Sequence, residues 1–191
     1  MNKFENTALI LIDIQNGFDD MEYYGGQRNN PTAEANCRTM LDYWRVTQLP
    51  IFHVQHCSTN PVSKLFPGNP GNDIKEIVAP RADEPIIQKS VNSAFIGTNL
   101  KEQLDGKDIK KLVIVGLTTD HCVSTTTRMA GNYGFETYLI ADATATFPKT
   151  GINGEKYDAE TIHQTALASL NNEFATVINT RELLDLLASS K

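Results

Sequence analysis

The sequence is short of most features that would mark a specialised class. Its 191 residues include only three cysteines, Cys37, Cys57 and Cys122, at unrelated spacings. Neither a disulfide framework nor a CxxC metal pair can be built from them. Thiols of this kind stay reduced in the cytoplasm, which is the expected compartment. No apolar run approaches the roughly 18–20 residues that a membrane span needs. The opening Met1-Asn-Lys-Phe-Glu-Asn leads towards a strand rather than an apolar signal segment. Seventeen Lys and Arg stand against 23 Asp and Glu, a formal net charge of −6, and no basic run appears. That balance excludes nucleic acid and anionic membrane surfaces as natural partners. No Gly/Ser-rich or Pro-rich linker and no internal repeat divides the chain, so residues 1–191 read as a single domain. No GxGxxG follows the first apolar run, and the turn Gly116–Thr119 lacks the glycines for close phosphate approach.

What is present is an alternation of strands and helices. Thr7–Ile12 (TALILI) is a continuous apolar run of strand length, as expected where both faces are covered. Ile51–His56, Glu84–Lys89, Leu112–Val115, Glu136–Ala141 and Phe174–Ile178 supply five more strands. Pro31 reads as the first helical position of a stretch whose Cys37, Met40, Leu41 and Trp44 share one face, which makes Cys37 a packing residue. Thr98 opens a short helix closed by Gly106. Asp158 caps a helix through Leu170, with Ile162, Ala166 and Leu170 inward, and Thr180 caps a last one on Leu183, Leu184 and Leu187. The pattern predicts an α/β fold, an open parallel sheet with helices on both faces. Two irregular stretches, Ser58–Asn72 and Phe147–Lys156, read as loops, the first long enough for a lid or binding loop.

In such sheets ligands bind beyond the carboxyl ends of the strands. Asp13, Lys89 and Cys122 each follow the end of a predicted strand, so three different reactive groups face one edge. Cys122 also falls in the first turn of a predicted helix starting near Asp120, after a turn opened by Gly116. There, backbone N–H groups and the helix dipole favour a thiolate. Taken alone, Cys122 reads more simply as a small core residue, the commoner fate of a free cysteine. With Lys89 supplying positive charge and Asp13 accepting a proton, the set suits nucleophilic catalysis, Asp13 returning the proton to a leaving amine. The backbone N–H groups of the Leu117–Thr119 turn and of Cys122 would meet a developing oxyanion. His121 adjoins Cys122, but successive helix residues diverge by about 100°, so it is not assigned as the base. With strand order 3-2-1-4-5-6, Lys89 must reach across about 10 Å to Asp13.

Three motifs carry a resemblance: LIDIQNGF (Leu11–Phe18), QKSVNSAFIGT (Gln88–Thr98) and VGLTTDHCVSTTTRMA (Val115–Ala130). In order and separation they are similar to the isochorismatase-like cysteine hydrolases, which include nicotinamidases and N-carbamoylsarcosine amidohydrolases. The resemblance covers nearly the whole chain. It implies a three-layer α/β/α sandwich, Rossmann-like, around a six-stranded parallel sheet. It also implies a catalytic triad of Asp13, Lys89 and Cys122, a cis peptide between Leu117 and Thr118, and an oxyanion hole from the Thr118 and Cys122 amides. Gln15, Phe18, Asn92 and Phe95 correspond to positions near the family's pocket. A homodimer or homotetramer is the assembly the resemblance implies.

One departure narrows the substrate. Metal-containing nicotinamidases carry an Asp-x-His pattern after the second strand, but here no aspartate stands two before His53 or His56. Three apart on a strand, those histidines face opposite sides. No metal and no other cofactor is expected, and nicotinamide is not the expected substrate. The expected activity is hydrolysis of a C–N, amide-type bond in a small molecule through a thioester. The alternatives are an isochorismatase-type vinyl-ether hydrolase and a non-catalytic ligand-binding domain.

Overall fold

The computed structural model describes residues 4–189. Six parallel strands form one sheet in the order β3-β2-β1-β4-β5-β8. They are β1 (Thr7–Ile12), β2 (Ile51–His56), β3 (Ile86–Lys89), β4 (Lys111–Leu117), β5 (Glu136–Ala145) and β8 (Thr176–Ile178). A small hairpin, β6 (Lys149–Thr150) with β7 (Lys156–Tyr157), stands apart inside the stretch read as irregular. The helices are α1 (Ala33–Thr47), α2 (Leu100–Gly106), α3 (Ser124–Asn132), α4 (Ala159–Leu170) and α5 (Thr180–Ser189). None of the described helices is long and apolar enough to cross a membrane.

Alternation along the strands builds the two helical layers. Leu9 and Leu11 of β1 and Val113 and Val115 of β4 pack with Met40, Leu41 and Trp44 of α1 and with Leu183 and Leu187 of α5. Ile10, Ile12, Leu112 and Ile114 pack on the other face with Leu100 and Leu104 of α2, Ala130 of α3 and Leu167 and Leu170 of α4. Both faces of β1 and β4 are therefore covered, which is why their sequences are unbroken apolar runs.

Several elements differ from the sequence reading. Pro31 lies ahead of α1, whose N-cap residue is Thr32, because the Asn30 side chain holds the approach by donating to Ala141 O and Thr144 O. Gly116 does not open a turn; it lies inside β4 at φ +125, where a Cβ would sit 2.0 Å from Ile12 O. β5 runs past Asp142 to Ala145 through a register shift opposite Ile114–Gly116, and Asp142 Oδ1 accepts from Thr180 N and Oγ1, both at 2.8 Å. Asp158 caps α4 as expected, accepting from Thr161 N at 2.7 Å. The inner face of α4, however, is Ala159, His163, Leu167 and Leu170; Ile162 and Ala166 are only half-buried.

The Ser58–Asn72 stretch forms a wall pinned by hydrogen bonds. Asn72 Nδ2 donates to His56 O (2.8 Å) and Leu65 O (2.9 Å), and Ser58 N–H donates to Leu65 O (3.0 Å). Gly71 packs so closely that a Cβ there would lie 2.5 Å from Lys64 O.

Candidate active site

The site forms where β1, β3 and β4 end. At Asp13 the backbone turns left-handed (φ 50), which breaks the alternation that sends Leu9 and Leu11 to the α1 face. Asp tolerates this region better than most residues. The Asp13 side chain is fully buried, and its Oδ2 accepts from Lys89 Nζ at 2.7 Å. Lys89 thus spans the intervening strand. His56, at the end of that strand, stands in the gap with Nδ1 3.1 Å from Lys89 Nζ.

Cys122 arrives from the other side. The Leu117–Thr118 peptide is cis. The chain then makes one wide π-type turn, Thr119–Val123, before α3, so Cys122 lies in that turn rather than in a regular first helical turn. Thr118 O accepts from His121 N (3.1 Å) and Val123 N (3.3 Å), and the Cys122 amide lies between these donors. The Cys122 Sγ is 3.9 Å from Asn92 Oδ1. A carboxylate oxygen of Asp13, a ring nitrogen of His56 and the Cys122 sulfur lie within 4.8 Å of one another.

The surroundings set the protonation states. Burial pushes the Asp13 carboxyl up, against the pull of Lys89. Burial, and then the Asp13 charge, push the Cys122 thiol up, with Lys89 opposing. Burial and the Asp13 charge thus favour the thiol, against the thiolate that a helix N-terminus would favour. Burial and the Lys89 charge lower His56 and keep it neutral. Asp13 Oδ1 is buried with no hydrogen-bond partner, so a free acceptor lies near a protonated thiol. Asp13, His56 and Cys122 are also three potential metal ligands. They do not fit a cation, because the Lys89 ammonium already sits between the carboxylate and the imidazole.

Above these groups is a pocket of about 210 Å³. One wall is aromatic: Tyr24 stacks on Phe147 (ring centroids 4.8 Å apart) and lies 4.9 Å from Phe18. Leu65 joins this wall, His56, Asn92 and Thr118 lie among the polar groups, and Tyr23, Ser63, His121 and Lys149 complete the lining. Phe18 and Asn92 are thus pocket residues, as the motifs implied. Gln15 and Phe95 are not. The Gln15 amide donates to His56 O (3.0 Å) and Asn72 O (2.7 Å) and accepts from His56 N, so it anchors the loop wall. Phe95 is buried in the helical layer against Phe135 and Tyr133. Sequence reasoning missed Tyr24, Phe147 and Lys149 as individual residues. The one available signal was the aromatic pair Tyr23-Tyr24 ahead of Gly25-Gly26.

A second cleft, of about 320 Å³, opens at the opposite edge of the sheet, between the end of α1 and the lead into β3. Arg45 and Glu84 line it, but no cysteine, serine or histidine does.

Comparison with known proteins agrees with this fold. Residues 7–182 match the model of the isochorismatase domain. The uncharacterized isochorismatase family protein YrdC of Bacillus subtilis is 51% identical over 181 residues, covering 95% of this chain and 96% of the relative. Nicotinamidase 3 of Arabidopsis thaliana is 27% identical over 190 residues, covering 93% of this chain and 86% of the relative. A Chromobacterium violaceum protein assigned to the isochorismatase family of hydrolases superposes with a TM-score of 0.93 at 38% identity, covering 99% of this chain and 97% of the other. A buried Asp13–Lys89 pair beside Cys122, under a pocket at the carboxyl edge of this sheet, thus occurs in a chain that belongs to the isochorismatase family of hydrolases.

Proposed function

We propose that the protein is a cofactor-free cysteine amidohydrolase acting on a small molecule. The observation that carries this reading is the split use of the Asp13 carboxylate: Oδ2 is held by Lys89, Oδ1 has no hydrogen-bond partner, and the carboxylate lies beside the Cys122 thiol. As the Cys122 sulfur attacks an amide carbonyl carbon, Asp13 Oδ1 takes the thiol proton. Lys89 stabilises the charge on the carboxylate and the sulfur. The oxyanion receives the Thr118 and Cys122 amide N–H groups. Asp13 then protonates the departing nitrogen, the C–N bond breaks, and a thioester remains on Cys122. Water, deprotonated by Asp13, hydrolyses the thioester, and the sulfur regains its proton. Phe18, Tyr24 and Phe147 offer flat apolar contact to the acyl group. The Arabidopsis relative's name, a nicotinamidase, is in keeping with amide hydrolysis.

The test is ammonia or amine release from a panel of small amides, ureides and imides. Cys122→Ala and Lys89→Ala should each nearly abolish turnover, and mass spectrometry should find an acyl adduct on Cys122. Full activity in Cys122→Ala would sink the mechanism.

One observation favours a second reading. The raised Asp13 carboxyl can serve as an acid towards a vinyl ether, the bond cleaved in isochorismate. Isochorismate cleavage that survives Cys122→Ala would support that reaction instead.

A further inference from the structure

The α4 face offers a clue that the proposed mechanism leaves unused. Ile162 is left half-buried while His163, one residue on, is 2% exposed. Burying an imidazole in place of an available isoleucine is unfavourable unless its nitrogens are satisfied. Both nitrogens have polar neighbours. Nδ1 lies 2.9 Å from Thr119 Oγ1, and Nε2 lies 3.3 Å from Asn30 Nδ2. The two Asn30 N–H groups donate to Ala141 O and Thr144 O, at the irregular part of β5, so the short link that holds the ring is the one between Nδ1 and the Thr119 hydroxyl. Thr119 is fully buried and stands between Thr118 and Cys122 in the wide turn.

We propose that His163 is a positioning residue: through Thr119 it braces the turn that carries the Thr118 and Cys122 amides against α4 and β5. The inference rests on the oxyanion role given to those amides above. Burial keeps the imidazole neutral, although Glu160 on α4 and Asp120 on the turn favour its charged form. A charged ring would set an N–H against the Asn30 NH2 and loosen the contact towards β5.

The test compares two reactions of the same sulfur in the full-length protein. p-Nitrophenyl acetate acylates a thiol through a tetrahedral oxyanion, whereas iodoacetamide alkylates it by direct displacement with no oxyanion. In His163→Leu and in Thr119→Val, which removes only the partner hydroxyl, acylation of Cys122 should slow by about 10- to 100-fold, the scale expected of a misplaced catalytic group. Alkylation of Cys122 should change less than about twofold. The double variant should be no slower than the slower single one, because one brace is broken either way. If His163→Leu does not fold, Thr119→Val alone carries the comparison. Acylation of both variants at the wild-type rate, or an equal fall in acylation and alkylation, would overturn the positioning role while leaving the cysteine mechanism intact. A wild-type protein that p-nitrophenyl acetate does not label at Cys122 would overturn both.

Discussion

The strand β2 carries two histidines three residues apart, and each belongs to a buried ion-pair cluster with a different fate. On the α1 face, His53 Nε2 is 2.9 Å from Glu84 Oε2, and Arg45 grips the same carboxylate through Nε (2.7 Å) and Nη2 (2.8 Å). The Arg81 N–H adds a further hydrogen bond, so both Glu84 oxygens are occupied. Burial alone would raise the Glu84 carboxyl, but the hydrogen bonds from Arg45, Arg81 and His53 hold it down at about 2. At the carboxyl edge, His56 and Lys89 leave one oxygen of Asp13 without a partner, and burial wins. The two clusters use similar residue types. Saturation turns one into a structural fastening; a single open valence leaves the other able to accept a proton.

The strongest way to break this comparison is to neutralise each carboxylate. Asp13→Asn should lower amide turnover by roughly a thousandfold or more, as expected when one member of a catalytic set is lost, with the circular dichroism spectrum of the folded protein retained. Turnover within tenfold of wild type would show that the open valence has no chemical use. Glu84→Ala should do the reverse. Breaking a buried pair by removing one partner costs about 3–5 kcal/mol, to be read from urea unfolding, while activity per folded molecule stays near wild type. A smaller effect should appear in the pH dependence of stability, with opposite signs. Glu84 is depressed in the folded state, so its contribution is fully present above its ordinary value near 4.5 and is lost as pH falls towards about 2. The urea-midpoint gap between wild type and Glu84→Gln should therefore narrow over that window. Asp13 is raised, so its ionisation opposes folding, and Asp13→Asn should gain on wild type as pH rises above about 4. Parallel pH slopes for the two variants would show that the clusters do not differ in this respect.

Much of this was legible because it depends on local chemistry. β1 and β2 match their sequence spans residue for residue: TALILI is an unbroken apolar run, and Pro50 marks where IFHVQH begins. The meeting of Asp13, Lys89 and Cys122 was legible as three residues at one sheet edge. The left-handed turn at Asp13 and the reach of Lys89 across β2 are tertiary facts with no periodic signature. α4 was misread by one residue because periodicity counts Ile162 as core and cannot see that Thr119 and Asn30 wait for an imidazole. The surroundings of Cys122 were hidden for a related reason. Position after a strand suggests a stabilised thiolate, whereas burial beside Asp13 is visible only once the fold is assembled. Gln15 shows the same limit: a polar residue near the site in sequence is spent on backbone groups that only the folded loop presents.

The loop wall has a thermodynamic consequence. Asn72, Gln15 and the tight approach at Gly71 fasten the Ser58–Asn72 segment, and none of these residues lines the pocket. A ligand entering this pocket therefore orders no disordered chain, and its binding carries no coupled-folding cost. Calorimetry should then find a heat-capacity change set by the apolar area of ligand and pocket alone.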